Sequence, residues 1–279
     1  MSWRLADAKD RNRLRGFVES REPGAVVFSE HLKRHGAKSS RFQRVHLYEE
    51  DQRIESALLQ TGAGFFVPAA RGERLPDPEG LRALIDPDNN RIHSIMGELP
   101  TVHSLSETID FPLSFTVDYH LMYRPREQRI PFVEPPLPGL DYAWATPRDA
   151  KLLREIQEAY EREEVLLPGH SFNPRVSMEN LRYHLKNQLV LYVTCGDEVI
   201  AKAATNARGF GCDQLGGVYT KPKFRRRGIA RWLVAILIRR LRKEMKGSSL
   251  FVKPQNLAAV ELYRDLGFTI VGPFRISYY

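Results

Sequence analysis

The side chains best placed to do chemistry lie between Gly216 and Leu233, in Gly-Gly-Val-Tyr-Thr-Lys-Pro-Lys-Phe-Arg-Arg-Arg-Gly-Ile-Ala-Arg-Trp-Leu. The stretch reads as a strand, a glycine-bearing loop rich in arginine, and the first turn of an amphipathic helix. The first N–H groups of a helix have no partners inside it. Together with the helix dipole they make an anion site. Gly228 has no Cβ, so backbone can approach a ligand closely there, and Ala230 keeps the first turn slim. Arginine guanidinium groups match phosphate oxygens in fixed geometry. The loop therefore reads as a pyrophosphate cradle. It lacks the Gly-x-x-x-x-Gly-Lys-Ser/Thr of an ATP loop and the Gly-x-Gly-x-x-Gly of a dinucleotide site. Gly209-Phe-Gly211 and Gly62-Ala-Gly64 each miss the third glycine and read as turns.

The elements that must position this loop are legible in the second half of the chain. Leu152, Leu153, Ile156 and Tyr160 fall at helical spacing and predict a helix over 147–164. A second, short helix is expected from Ser177 to Lys186, with Ser177 and Asn180 as candidate caps. Strands follow at Leu189–Cys195 and Glu198–Asn206, joined by the turn signal Gly196-Asp197, and a third at Gln214–Thr220. Ala230, Leu233, Val234, Leu237 and Leu241 form the apolar stripe of a helix over about 229–246, which Gly247 ends. A strand at Ser249–Lys253, a helix from Asn256 to Leu266, and a final strand pair, Phe268–Val271 and Phe274–Tyr278, complete this half. The first half is also α/β. Helices are expected at Phe28–His35, Leu81–Arg91 (broken by Pro87) and Thr101–Ile109. Strands are expected at Phe42–Tyr48, across 54–67, at Ile92–Met96 and at Thr116–Tyr123. Between the halves, Pro131-Phe-Val-Glu-Pro-Pro-Leu-Pro-Gly139 places four prolines in nine residues, which suits a stiff, extended connector. The expected organisation is an α/β domain at 1–130, a linker at 131–139 and a chemistry-bearing domain at 140–279. The expected fold class is mixed α/β, a mostly antiparallel sheet with flanking helices, in two domains.

Composition narrows the function classes. The chain has 279 residues and 42% hydrophobic residues, an ordinary globular mixture. Its longest apolar run, Trp232–Ile238, is far short of the roughly 20 residues of a bilayer span, so no membrane partner is expected. Two cysteines exclude a disulfide framework and point to a reducing compartment, the cytoplasm. The net charge is +8. Between Thr220 and Lys253 stand twelve Lys/Arg and one acid, whereas the remainder carries thirty bases and thirty-three acids. The basicity belongs to one segment, which argues for one small polyanion over nucleic acid. His31 and His35 lack the Glu of a zincin pair and are expected to be solvated, and Cys195 and Cys212 show no metal spacing, so no metal is expected.

The loop Arg225-x-x-Gly228-x-Ala230 resembles the Arg/Gln-x-x-Gly-x-Gly/Ala loop of the GNAT superfamily of acyl-CoA N-acyltransferases. The segment from Asn256 through Tyr263 to Gly267-Phe268 is similar to that superfamily's Asn-x-x-Ala-x-x-x-Tyr-x-x-x-Gly-Phe. Gly216-Gly-Val-Tyr-Thr220 and Leu250-Phe-Val-Lys253 are closest in wording to its FR47-like branch. The resemblance covers about 140–279, and the first half resembles a degenerate, motif-poor copy. It implies acetyl-CoA as co-substrate and a primary amine as acceptor. It also implies a CoA site made by Val218, Tyr219, Thr220, Arg225, Arg226, Arg227, Gly228, Ile229, Ala230, Arg231, Asn256 and Tyr263. Val218 and Thr220 would offer backbone groups to the pantetheine arm, a N–H near Val218 would face the developing oxyanion, and Tyr263 would protonate the departing thiolate. Asn256 is equally a helix N-cap. Glu163, Glu164 and Asp213 are candidate bases, and His170 a candidate acceptor contact. Two other readings stay open: a CoA-binding sensor or scaffold without catalysis, and a nucleic-acid binder using residues 220–253. An oligomer is neither required nor excluded.

Overall fold

The computed structural model describes residues 2–40, 43–85, 92–109 and 111–279. Ten elements form the first half: β1 (Trp3–Leu5), α1 (Arg11–Glu19), α2 (Glu22–His35), β2 (Gln43–Glu50), β3 (Arg53–Thr61), β4 (Phe65–Ala70), α3 (Pro78–Leu84), β5 (Ser94–Glu98), α4 (Leu99–Ile109) and β6 (Phe115–Arg124). The second half repeats that order: β7 (Leu140–Trp144), α5 (Arg154–Tyr160), α6 (Pro174–Asn187), β8 (Val190–Cys195), β9 (Glu198–Arg208), β10 (Cys212–Thr220), α7 (Ile229–Lys243), β11 (Gly247–Val252), α8 (Leu257–Asp265) and β12 (Thr269–Tyr278).

All twelve strands join one sheet, ordered β1-β2-β3-β4-β5-β12-β6-β11-β10-β9-β8-β7. Replacing each strand by its counterpart in the other half returns the same order reversed. The halves are therefore related by a pseudo-twofold axis between β12 and β6. Each half also lends its last strand to the other: β6 lies between β11 and β12, and β12 between β5 and β6. The sheet is antiparallel except at β4–β5 and β10–β11. Both parallel contacts are short. β10 and β11 are in register only over Cys212–Gln214 and Gly247–Ser249, after which they part.

The apolar stripe of α7 covers one face of β8–β11, burying Leu233, Val234, Leu237 and Leu241 against Leu191, Ala203, Leu215 and Leu250. On the opposite face α5 and α6 bury Leu153, Ile156, Leu181 and Leu185 against Val190, Ala204 and Tyr219. The first half has its own clusters around Phe28 and around Leu81.

Several elements differ from expectation. The expected helix over 147–164 is a 3-10 turn (Pro147–Ala150), then α5, then a π-helical turn (Glu161–Val165). The second helix starts earlier, capped by Asn173 and not by Ser177 or Asn180. The final strand pair is the single strand β12, because a register shift between Ile270 and Gly272 absorbs the Gly-Pro pair without ending the ladder. The 54–67 segment is two strands, and β1, α1 and β7 were not anticipated. Phe42 and residues 86–91 lie outside the described residues. His31 is half-buried and not solvated, and burial pulls its pKa down. Among the described residues no helix is long and apolar enough to cross a membrane.

Polar contacts tie α2 to the second half. The Glu22 carboxylate accepts N–H bonds from Phe210 and from Gly211 (2.7 Å) in the β9–β10 turn. Glu30 accepts from Gln188 (2.8 Å) and from the Arg208 N–H (3.2 Å). Lys33 donates to the Gly209 carbonyl at 3.2 Å. Glu22→Ala strands two N–H groups and should lower the unfolding free energy by about 2–4 kcal/mol. A urea midpoint unchanged from wild type would show that α2 docks without this carboxylate.

Candidate active site

The chain leaves β10 at Thr220, makes a 3-10 turn (Pro222–Phe224), and enters α7 through Arg225–Gly228. Arg226 (φ 57°) and Gly228 (φ 79°) both adopt left-handed backbone, which turns the loop sharply onto the helix axis. No side chain caps α7, so its first N–H groups remain open to an anion. A Cβ on Gly228 would stand 3.2 Å from the Cβ of Pro136. The need for glycine thus comes from its backbone angle and from the connector lying against the loop, besides any approach of ligand.

Parting of β10 from β11 opens a cavity of about 1060 Å³. Of the expected CoA residues, Val218, Tyr219, Thr220, Arg225, Arg226, Gly228, Ile229, Ala230, Arg231, Asn256 and Tyr263 all line it. Arg227 does not; its guanidinium lies over the Phe224 ring, 5.9 Å from the centroid. Arg225 lines the cavity but is already engaged. It donates to the Thr220 carbonyl (2.9 Å) and to Glu163 (2.7 Å). The Tyr219 hydroxyl donates to the same Glu163 oxygen at 3.0 Å. Arg225 holds the Glu163 carboxyl below the usual carboxylate range. Arg231 faces Asp265 at 3.8 Å. The Thr220 hydroxyl oxygen is buried without a partner among the described residues.

Asn256 is the N-cap of α8, its side chain accepting the Ala259 N–H at 3.2 Å, and it lines the cavity as well. Tyr263 is 8% exposed and packs edge-on against Phe268. Its hydroxyl makes no hydrogen bond to the described residues, and burial pushes its pKa well up. The phenol therefore keeps its proton across the neutral range.

The other end of the cavity is built by the exchanged strands. Phe115, Val117 and Tyr119 of β6 and Ile276 and Tyr278 of β12 line it, with Tyr160, Glu164 and Leu166 from α5 and the π-helical turn. Burial raises the pKa of Tyr119, Tyr160 and Tyr278, that of Tyr160 to about 12, and the charge of Glu164 adds to the first two. Sequence reasoning missed this wall. Its one sequence signal was the alternation of Phe115, Val117 and Tyr119, which puts all three on one strand face.

The three candidate bases separate cleanly. Glu163 is spent on Arg225 and Tyr219. Asp213 is fully buried and paired with Arg208 and Lys246 away from the cavity wall. Glu164 alone lines the cavity, 3.8 Å from Lys253. His170 does not line it. The basic segment is partly neutralised by acids from outside it: Lys221 pairs with Glu155 and Glu198, Lys223 with Glu198, and Arg225 with Glu163. Among the described residues no three metal-ligating side chains converge.

The corresponding site in the first half is closed. The Asp77 carboxylate caps α3, accepting the Gly80 N–H at 3.0 Å, where α7 has an uncapped glycine. A cavity of only about 10 Å³ lies beside β4 and β5.

Residues 152–268 match the model of the acetyltransferase (GNAT) family. No curated protein matches the chain. Among solved structures, a Drosophila protein is similar at 11% identity and a TM-score of 0.67, with 99% of this chain and 98% of that one covered. A GCN5-related N-acetyltransferase from Sphaerobacter thermophilus shares 16% identity, with a TM-score of 0.58 and coverage of 99% and 94%. A tandem GNAT protein from the clavulanic acid biosynthesis pathway shares 11%, with a TM-score of 0.57 and coverage of 99% and 97%. At these identities the likeness is one of fold, and it spans both halves of the chain. The match to the acetyltransferase (GNAT) family model thus spans residues 152–268, the stretch that holds the cleft's loop and both helices beside it.

Proposed function

We propose that the protein is an acetyl-CoA-dependent N-acetyltransferase that transfers the acetyl group to a primary amine by direct attack in a ternary complex. The observation that carries this reading is one cleft holding both an uncapped helix N-terminus and a proton-bearing phenol. The α7 N–H groups, Arg226 and Arg231 suit the pyrophosphate. The unpaired edge of β10 at Val218 and Thr220 suits the pantetheine amides, in the manner of an added strand. The two unpaired cysteines suit a reducing compartment such as the cytoplasm.

The amine enters from the aromatic end. Glu164 takes its proton, directly or through water. The amine nitrogen then bonds to the thioester carbonyl carbon, and holding the two together supplies much of the rate. The Val218 N–H faces the oxygen as it gains charge. The carbon–sulfur bond breaks, and Tyr263 passes its proton to the leaving thiolate. The proton that the nitrogen still carries in excess passes through water to the Tyr263 phenolate, which restores the phenol and leaves the amide and free CoA. Partial neutralisation of the basic segment favours this reading over a nucleic-acid surface.

Thiol release measured with acetyl-CoA against a panel of primary amines tests the proposal. Binding of CoA without turnover on any amine would instead support a sensor. Gly228→Glu should weaken acetyl-CoA binding by roughly 100-fold or more in calorimetry, because charge repulsion and steric block fall on the phosphate site; ordinary affinity in a folded variant would remove the cradle. Tyr263→Phe keeps the ring and should lower kcat by roughly 100-fold or more, with acetyl-CoA affinity nearly unchanged. Retention of the wild-type rate with chemistry limiting would reassign the proton donor. Glu164→Gln should reduce kcat/KM by a similar factor at neutral pH. Recovery of that rate at higher pH, where more of the amine is already neutral, is the accompanying expectation.

A further inference from the structure

Lys202 is a buried cation that the mechanism above does not use. It sits on β9, is 3% exposed, and has no carboxylate within ion-pair distance among the described residues. Burying an ammonium group without a counter-ion is costly, so its partners matter. Its Nζ donates to the Gly217 carbonyl at 3.2 Å and lies 4.1 Å from the centre of the Tyr160 ring. Burial brings its pKa down to about 7, with the Glu161 charge pulling the other way.

What Lys202 grips is the irregular point of β10. The ladder with β9 shifts register between Gly216 and Tyr219. Gly217, inside that shift, has left-handed backbone at φ 59°. A Cβ there would stand 3.0 Å from the Lys202 Nζ, so the position requires glycine for its angle and for its space. Lys202 stands opposite Tyr219 in the ladder, and cross-strand neighbours share a face. That face is the one packed by α5 and α6. Val218 instead packs against the α7 cluster and lines the cavity.

A trans peptide is planar, with its C=O and N–H pointing in opposite directions. Anchoring the Gly217 oxygen on the Lys202 side therefore turns the N–H of the next residue, Val218, the other way. We propose that Lys202 is a positioning residue for acyl transfer: by holding the Gly217 carbonyl it sets the direction of the Val218 N–H toward the thioester oxygen. The bond also polarises the shared peptide, which makes that N–H a stronger donor. Lys202 does not line the cavity, and it acts on the cleft through the peptide group between Gly217 and Val218. The inference rests on the acetyltransferase reading.

Steady-state thiol release, calorimetric acetyl-CoA affinity and thermal midpoints of wild type, Lys202→Met and Lys202→Gln test it. Met fills the space without a donor, and Gln restores a neutral donor. Lys202→Met should lower kcat by roughly 10- to 100-fold with acetyl-CoA Kd and KM unchanged, and Lys202→Gln should regain part of the loss. Wild-type kcat in Lys202→Met would overturn the proposal. So would a loss that appears as weakened acetyl-CoA binding, or as a collapsed midpoint in both variants, since Lys202 would then be structural. If wild type itself turned over no amine, the acetyltransferase reading would fall and this inference with it. An active wild type with an indifferent Lys202 would sink the inference alone.

Discussion

The site depends on two parallel strands that stay together for three residues and then separate. β10 and β11 pair from Cys212 and Gly247 to Gln214 and Ser249. Beyond that point each has a partner on its far side only, β9 for β10 and β6 for β11. Unpaired strand edges normally invite another chain. Here the two edges face each other across a gap too wide for hydrogen bonds and lined by side chains of both. The helices that follow each strand are set by the same divergence. α7 brings its open N-terminus to one end of the gap, and α8 carries Tyr263 into its wall.

Legibility followed the distance over which the information is written. The loop entering α7 was readable because its glycine, its arginines and the start of the helix behind it lie within a dozen residues. Tyr263 was readable through spacing along one helix. The aromatic end of the cavity was not, because it arises from pairing β6 with β11 and β12, strands more than 120 residues away in sequence. No local pattern reports such an exchange. At 3 residues β1 is too short for alternation to signal, and the π-helical turn at Glu161–Val165 breaks a periodicity that looked continuous through Glu164. Within that turn Glu163 reaches Arg225, while its neighbour Glu164 lines the cavity.

The internal repeat shows how small a change closes such a site. Both halves run strand, loop, helix in the same place, yet one helix begins at an aspartate and the other at a glycine. A carboxylate at the first turn satisfies the N–H groups that a phosphate would otherwise take. Charge also differs locally from what residue counts imply. Lys221, Lys223 and Arg225 before α7 are answered by Glu155, Glu163 and Glu198, which leaves Arg226, Arg227 and the helix N-terminus to attract an anion.

The strand exchange carries a consequence for how the molecule is inherited. A piece cut at the prolines would lose the borrowed ribbon beside its fifth one, and with it a wall of the cleft, while its own last ribbon would have no neighbour on either flank. The first half thus supplies part of the second half's cleft through β6.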